Sequence, residues 1–198
     1  MIKNKIKESL YFLIMLLTFT SCKTDNPVDV DIPTDSVLLP LDEGNSWTFK
    51  RTQYNSNGTV IYTDTITQNI VKDSSLYGLK WSYESYEEIF YRNDDQGLWR
   101  FYGEPRLYYR YPSFPDVEFM QSSYTVTVIS TDTLIITPAG TVHCYHYRIN
   151  FSNIPINQFI SPDLGFVNME YGNYYNTPSG WTPYLSSRLE LLSYSIKK

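Results

Sequence analysis

Over most of the chain from residue 46 onward, apolar and polar side chains alternate with a period of two. Trp47 and Phe49 alternate with Thr48 and Lys50; Leu79, Trp81 and Tyr83 with Lys80, Ser82 and Glu84; Tyr124, Val126 and Val128 with threonines. A period of two places every second side chain on one face of a pleated strand, whereas a helix needs 3.6. No stretch after Cys22 carries an amphipathic helical pattern. Turn signals separate the alternating runs. Asn57-Gly58 lies within 55–59, Asn93 to Gly97 forms a second turn, and Thr137-Pro138-Ala139-Gly140-Thr141 a third. Short turns of this kind join antiparallel neighbours. The pattern predicts roughly ten or eleven strands in a meander. So many strands in one sheet must curl, close or split. The expectation is an all-β domain built on a single strongly curved antiparallel sheet, a half-barrel. A closed up-and-down barrel is the next alternative and a two-sheet sandwich the third. Tyrosine contributes 19 residues, which favours strands further.

The first residues follow another logic. Lys3, Lys5 and Lys7 precede the uncharged run Tyr11 to Thr20. That run has the length of a signal-peptide core and falls short of the roughly 20 apolar residues a bilayer span requires. It ends in Phe19-Thr20-Ser21-Cys22. Small residues immediately before a cysteine resemble the lipobox of bacterial lipoproteins. The resemblance implies a signal peptide over 1–21 and a lipid-modified Cys22, which would tie the protein to a membrane. Lys23, in place of the Asp that retains lipoproteins in the inner membrane, implies the outer membrane. Residues 22–38 hold five Asp or Asn, two Pro and no aromatic residue, so they read as a lipidated disordered tether. The β-sheet domain is expected over 39–198.

Charge removes several classes of function. Without residues 1–21 the chain carries 13 basic and 20 acidic residues, and the basic ones are scattered. An acidic chain with no basic patch is a poor ligand for nucleic acid. Once Cys22 is acylated, Cys144 has no partner for an intramolecular disulfide and reads as a small buried residue.

The chemistry-bearing residues form no convincing constellation. His143 and His146 flank Cys144-Tyr145, but residues three apart on a strand face opposite sides. Cys144 and His146 alone are too few for a closed zinc site, and neither histidine suits a Cys-His dyad. Glu84, Glu87, Glu88, Asp94 and Asp95 read as exposed strand edges and a turn. Asp29, Asp31 and Asp35 lack the glycine and distal Glu of a calcium loop. No G-x-S-x-G, G-x-G-x-x-G or P-loop motif occurs. The expectation is a protein that is not an enzyme, with no catalytic residue, metal or cofactor.

Two segments, 103–121 and 172–186, break the alternation and mix prolines with aromatics. Tyr108, Tyr109, Tyr111, Phe114 and Phe119 occupy the first; Tyr174, Tyr175, Trp181 and Tyr184 the second. They read as covers for an apolar concave face, either as core or as a ligand lid or sugar-stacking platform. The candidate ligand-binding or lid residues are Tyr108, Tyr109, Tyr111, Phe114, Tyr175, Trp181 and Tyr184. Both segments are expected on one side or end of the sheet, with Tyr109 and Trp181 among the covering rings.

Three motifs run in order along the domain. They are LPLDEGNSWTF at 39–49, TLIITPAGTVHCYHYRI at 133–149 and ISPDLGFVNMEYG at 160–172, closed by LELLSYSIK. Together they resemble a large group of uncharacterised lipoproteins common in Bacteroidota, marked by P-L-x-x-G-N-x-W, P-A-G-T-x-x-C-Y and P-x-x-G-hydrophobic-V. At fold level that group is similar to the lipoprotein carriers LolA and LolB, whose half-barrel cups an acyl chain beneath helices. The resemblance implies a curved sheet, without the carriers' activity. The function expected is a lipid-anchored cell-envelope protein that binds an apolar or amphipathic ligand, or a partner protein, on its curved sheet. The alternatives are a structural or interaction module of the outer membrane and a carbohydrate-associated surface lipoprotein.

Overall fold

The computed structural model describes residues 37–121, 123–151 and 154–197. The expected signal peptide, Cys22 and nearly all of the expected tether lie outside the described residues. The described chain forms twelve strands: β1 (Ser46–Tyr54), β2 (Val60–Leu76), β3 (Leu79–Glu84), β4 (Ile89–Asp94), β5 (Gly97–Phe101), β6 (Pro105–Arg110), β7 (Glu118–Gln121), β8 (Tyr124–Thr137), β9 (Gly140–Phe151), β10 (Ile154–Ser161), β11 (Gly165–Thr177) and β12 (Gly180–Ser195). There is no helix among the described residues.

All twelve strands belong to one antiparallel sheet in the order β6-β5-β4-β3-β2-β1-β12-β11-β10-β9-β8-β7. The first and last strands pair with each other, Ser46 opposite Ser195 and Gln53 opposite Ser187. The two free edges, β6 and β7, are therefore consecutive in sequence. The sheet curls into a nearly closed barrel with one unsealed seam between them. This lies between the half-barrel and the closed barrel allowed by the alternation.

Side chains on the inner face make the core. Tyr109 of β6 lies 4.6 Å, ring to ring, from Tyr147 of β9 and 6.2 Å from Phe166 of β11. These contacts cross the interior and draw the two halves of the sheet together. Trp47, Phe49, Ile70, Trp81, Leu98, Val126, Ile160 and Leu191 are among the other buried apolar side chains. Gly97 sets the approach of β5 to β6: a Cβ there would stand 2.0 Å from the Tyr109 carbonyl oxygen.

One end of the barrel is closed by the segment before β1. The Val37 N–H donates to the Asp163 carboxylate, and the Asp163 N–H returns a bond to the Val37 carbonyl. The Asn93 side chain donates to the Leu39 carbonyl at 2.7 Å. The segment thus spans from the β10–β11 turn to the end of β4. Leu38, assigned to the tether from sequence, is only 1% exposed and belongs to the packed fold. The Trp47 indole N–H donates to the Leu164 carbonyl at 2.5 Å. Gly165, at φ +93°, leaves room for Leu39 where a Cβ would stand 2.5 Å from its Cδ1. Asn45 is fully buried, donating to the Pro40 carbonyl and accepting from the Lys197 N–H. The first and third motifs therefore meet here to close one end of the barrel.

The two aromatic segments are wall, not flaps. Residues 103–121 supply β6, β7 and their connection along the seam, while 172–186 form the outer half of the β11–β12 hairpin. Asn176 pairs with Trp181, and Tyr174 with Pro183, beyond the level where β1 ends at Tyr54. Projecting past the barrel, this hairpin covers no concave face, and Trp181 is 69% exposed. Trp181, expected among the covering rings, is therefore exposed instead.

Candidate functional site: a cavity beside the open seam

At the end opposite the N-terminal segment, the barrel holds a cavity of about 460 Å3. It is lined by Arg100, Tyr102, Arg106 and Tyr108 on the β5–β6 side of the seam. On the other side stand Gln121, Tyr124, Ile149, Phe151, Ile156, Gln158 and Tyr171, from β7 to β11. The volume falls within the range of small-molecule sites, about 300–1,000 Å3.

Each polar group on this wall has a local cause. On β5, Leu98 and Arg100 share the inner face, so the register that buries Leu98 also turns Arg100 inward. Arg100 is 8% exposed. Its guanidinium lies 4.4, 4.9 and 5.4 Å from the ring centroids of Tyr108, Tyr102 and Tyr91, and it bonds Glu87 at 2.5 Å. Burial works against its charge, but Tyr108, Tyr91 and Glu87 outweigh that cost, so its pKa lies above the ordinary arginine value. The cation is permanent.

Gln158 sits between Ile156 and Ile160 on the inner face of β10 and is 2% exposed. Near it the Tyr171 hydroxyl donates to Met169 Sδ at 3.6 Å, and burial drives its pKa well up. The Gln158 Oε1 atom is buried without a hydrogen-bond partner. Across the seam, the Gln121 side-chain amide donates to the Tyr108 carbonyl at 3.4 Å.

The seven sequence candidates are dispersed. Tyr108 lines the cavity. Tyr109 is core, fully buried against Tyr147, and Tyr111 is buried 5.3 Å from Tyr145. Phe114 is exposed on the β6–β7 connection. Tyr175 and Tyr184 meet edge to face across the β11–β12 hairpin at 5.9 Å, and Trp181 stands at its tip. Tyr184 also borders an outer groove of about 330 Å3 with Pro155, Gly172 and Pro183. None of Tyr175, Trp181 and Tyr184 lines the cavity.

Sequence reasoning missed Arg100, Arg106, Gln121, Gln158 and Tyr171. A signal existed for two of them. Arg100 shares its face with Leu98, and Gln158 interrupts the Ile156–Ile160 face, so each is a polar residue on an apolar stripe.

The other candidate chemistry is spread out. His143 bonds Asp132 at the surface, while His146 bonds Asn157 at 3.0 Å and stacks on Phe159 at 4.4 Å. Burial pushes the Cys144 thiol up to about 12, which leaves it a poor nucleophile. Glu84, read from sequence as an exposed edge residue, is 2% exposed. Its carboxylate oxygens accept the N–H groups of Tyr86 and Glu87 and so close the β3–β4 turn. Burial pushes its pKa up against those bonds. Among the described residues no cluster of three or more His, Cys, Asp or Glu could hold a metal ion.

No family model and no curated protein matches the chain. Two solved structures are similar. One is a candidate exported protein with a YmcC-like fold from Bacteroides fragilis NCTC 9343, at 15% identity and a TM-score of 0.44, covering 81% of this chain and 99% of that one. The other is a candidate lipoprotein from Parabacteroides distasonis ATCC 8503, at 12% identity and a TM-score of 0.37, with the same coverage. Neither likeness is close enough to carry function across.

Proposed function

We propose that this is a lipid-anchored protein of the bacterial cell envelope that holds a small apolar or amphipathic molecule in its barrel and does no chemistry on it. The anchor is Cys22 and the membrane is the outer one, as the lipobox resemblance and Lys23 imply. The cavity beside the seam carries the binding reading. A purely structural barrel would fill this space with side chains, as the opposite end is filled by Leu38, Leu39 and Trp47. The reading as a carbohydrate platform is less well supported, because Tyr175 and Tyr184 stand 78° apart and offer no coplanar pair.

Fluorescence titration with N-phenyl-1-naphthylamine, an uncharged apolar probe, tests the reading. Binding is expected to saturate at one probe per chain. Ile156→Trp, which fills the cavity from β10, is expected to abolish it while leaving the β-type circular dichroism spectrum intact. Absence of saturable binding, or binding indifferent to Ile156→Trp, would overturn the reading.

A further inference from the structure

The cavity wall carries charge of one sign. Arg100 and Arg106 line it, and no carboxylate does. Their ion-pair partners, Glu87 at 2.5 Å and Glu104 at 2.7 Å, are not part of the lining. The chain as a whole has a net charge of −5, so two cations on this surface run against its overall balance. Low-dielectric walls concentrate the field of such charges.

The polar atoms of the wall are also incompletely used. The Arg100 Nε and the Gln158 Oε1 are buried without hydrogen-bond partners. Buried polar groups are ordinarily paired, and those that are not call for an explanation. Arg100 and Arg106 offer only donors. Ile149, Ile156 and Phe151 offer the apolar part of the same wall.

We propose that the cavity recognises an amphipathic monocarboxylate, with the carboxylate against Arg100 and Arg106 and the apolar body against Ile149, Ile156 and Phe151. A planar guanidinium matches the two oxygens of a carboxylate, which a single-point donor does not. The proposal rests on the cavity being a ligand site, and it specifies the chemistry of the ligand's head.

The test is displacement of N-phenyl-1-naphthylamine by decanoate and by decanol at about pH 8, where a carboxylic acid is ionised. The two competitors share a chain length and differ in the head. Decanoate is expected to displace the probe at about ten- to a hundredfold lower concentration, the range of a hydrogen bond to a charged group. Arg106→Gln is expected to shrink that preference, weakening displacement by decanoate more than displacement by decanol. Arg100→Gln should shrink it further, and if that variant fails to fold, Arg106→Gln decides alone. Equal displacement by the two competitors, or a preference that survives Arg106→Gln, would overturn the carboxylate proposal and leave the cavity reading standing. Failure of the probe itself to bind would overturn both.

Discussion

The hydroxyl of Tyr147, on β9, donates to the carbonyl of Arg110, on the free edge of β6, at 2.9 Å. Together with the bond from Gln121 to the Tyr108 carbonyl, it satisfies β6 edge acceptors from across the seam. An open strand edge is a template for pairing with other chains, and natural sheets blunt it. Here side chains do so, and the barrel stays narrow without a β6–β7 ladder. Tyr147→Phe keeps the ring packing and removes the bond. We expect a loss of about 0.5–1.5 kcal/mol in chemical denaturation, the usual worth of one neutral hydrogen bond. We also expect faster amide exchange along β6 and β7 and unchanged exchange in β1 and β12. Uniform loosening of all strands would contradict the latch.

Trp181 and Trp47 should differ sharply in their contribution to stability. Trp181 stands exposed at a hairpin tip, so Trp181→Ala should change stability by no more than about 0.5 kcal/mol. Trp47 is buried and bonded to the Leu164 carbonyl, so Trp47→Ala should cost about 3–5 kcal/mol. Urea melts of the two variants decide the matter. Equal costs would mean that the hairpin folds back onto the barrel.

The two tryptophans also show what was legible in the sequence. Around Trp47 the strand has one wet and one dry face, so alternation marks it plainly, as it does the β4–β5 turn ending at Gly97. Around Trp181 the hairpin extends beyond the barrel and both faces meet solvent. Tyr174 and Tyr175 are then free of the period-two constraint, and the segment reads as irregular. The seam disturbs the pattern differently. In β6 the adjacent Tyr108 and Tyr109 are both buried, because the register shifts between Leu98 and Trp99 on the partner strand. The site was hidden because its members come from β5 to β11 and meet only when the sheet curls. Arg100 and Gln158 were the readable clues, each a polar side chain on an apolar face.

His146 supplies a pH test. Partial burial holds its pKa below the ordinary value, against the bond to Asn157, with Arg148 adding to the depression and Glu170 opposing it. The unfolded chain therefore takes up a proton before the folded one does. This term is neutral above about pH 6.5, the ordinary histidine value, and destabilises the fold as pH drops through and below it. Stability of the wild type should fall more steeply on acidification from neutral pH than that of His146→Gln, as measured by urea melts across the range. Parallel pH profiles would contradict the assignment.

Cys22 governs the membrane reading. Acyl chains contribute about 0.8 kcal/mol per buried methylene, so a modified chain should enter the detergent-rich phase on cloud-point separation. Cys22→Ser should move it to the aqueous phase and abolish the mass added by the lipid. A Ser variant that still partitions with detergent would contradict lipidation at this position.

The central claim, that the barrel interior is a ligand site, is most directly tested by 1H–15N NMR spectra of the folded domain during titration with decanoate. We expect saturable shifts of the Gln158 and Gln121 side-chain amides and of the backbone amides of Arg100, Tyr108, Ile149 and Tyr171, with those of Asn176 and Trp181 unmoved. Shifts confined to the β11–β12 hairpin, or no saturable shifts at all, would contradict it.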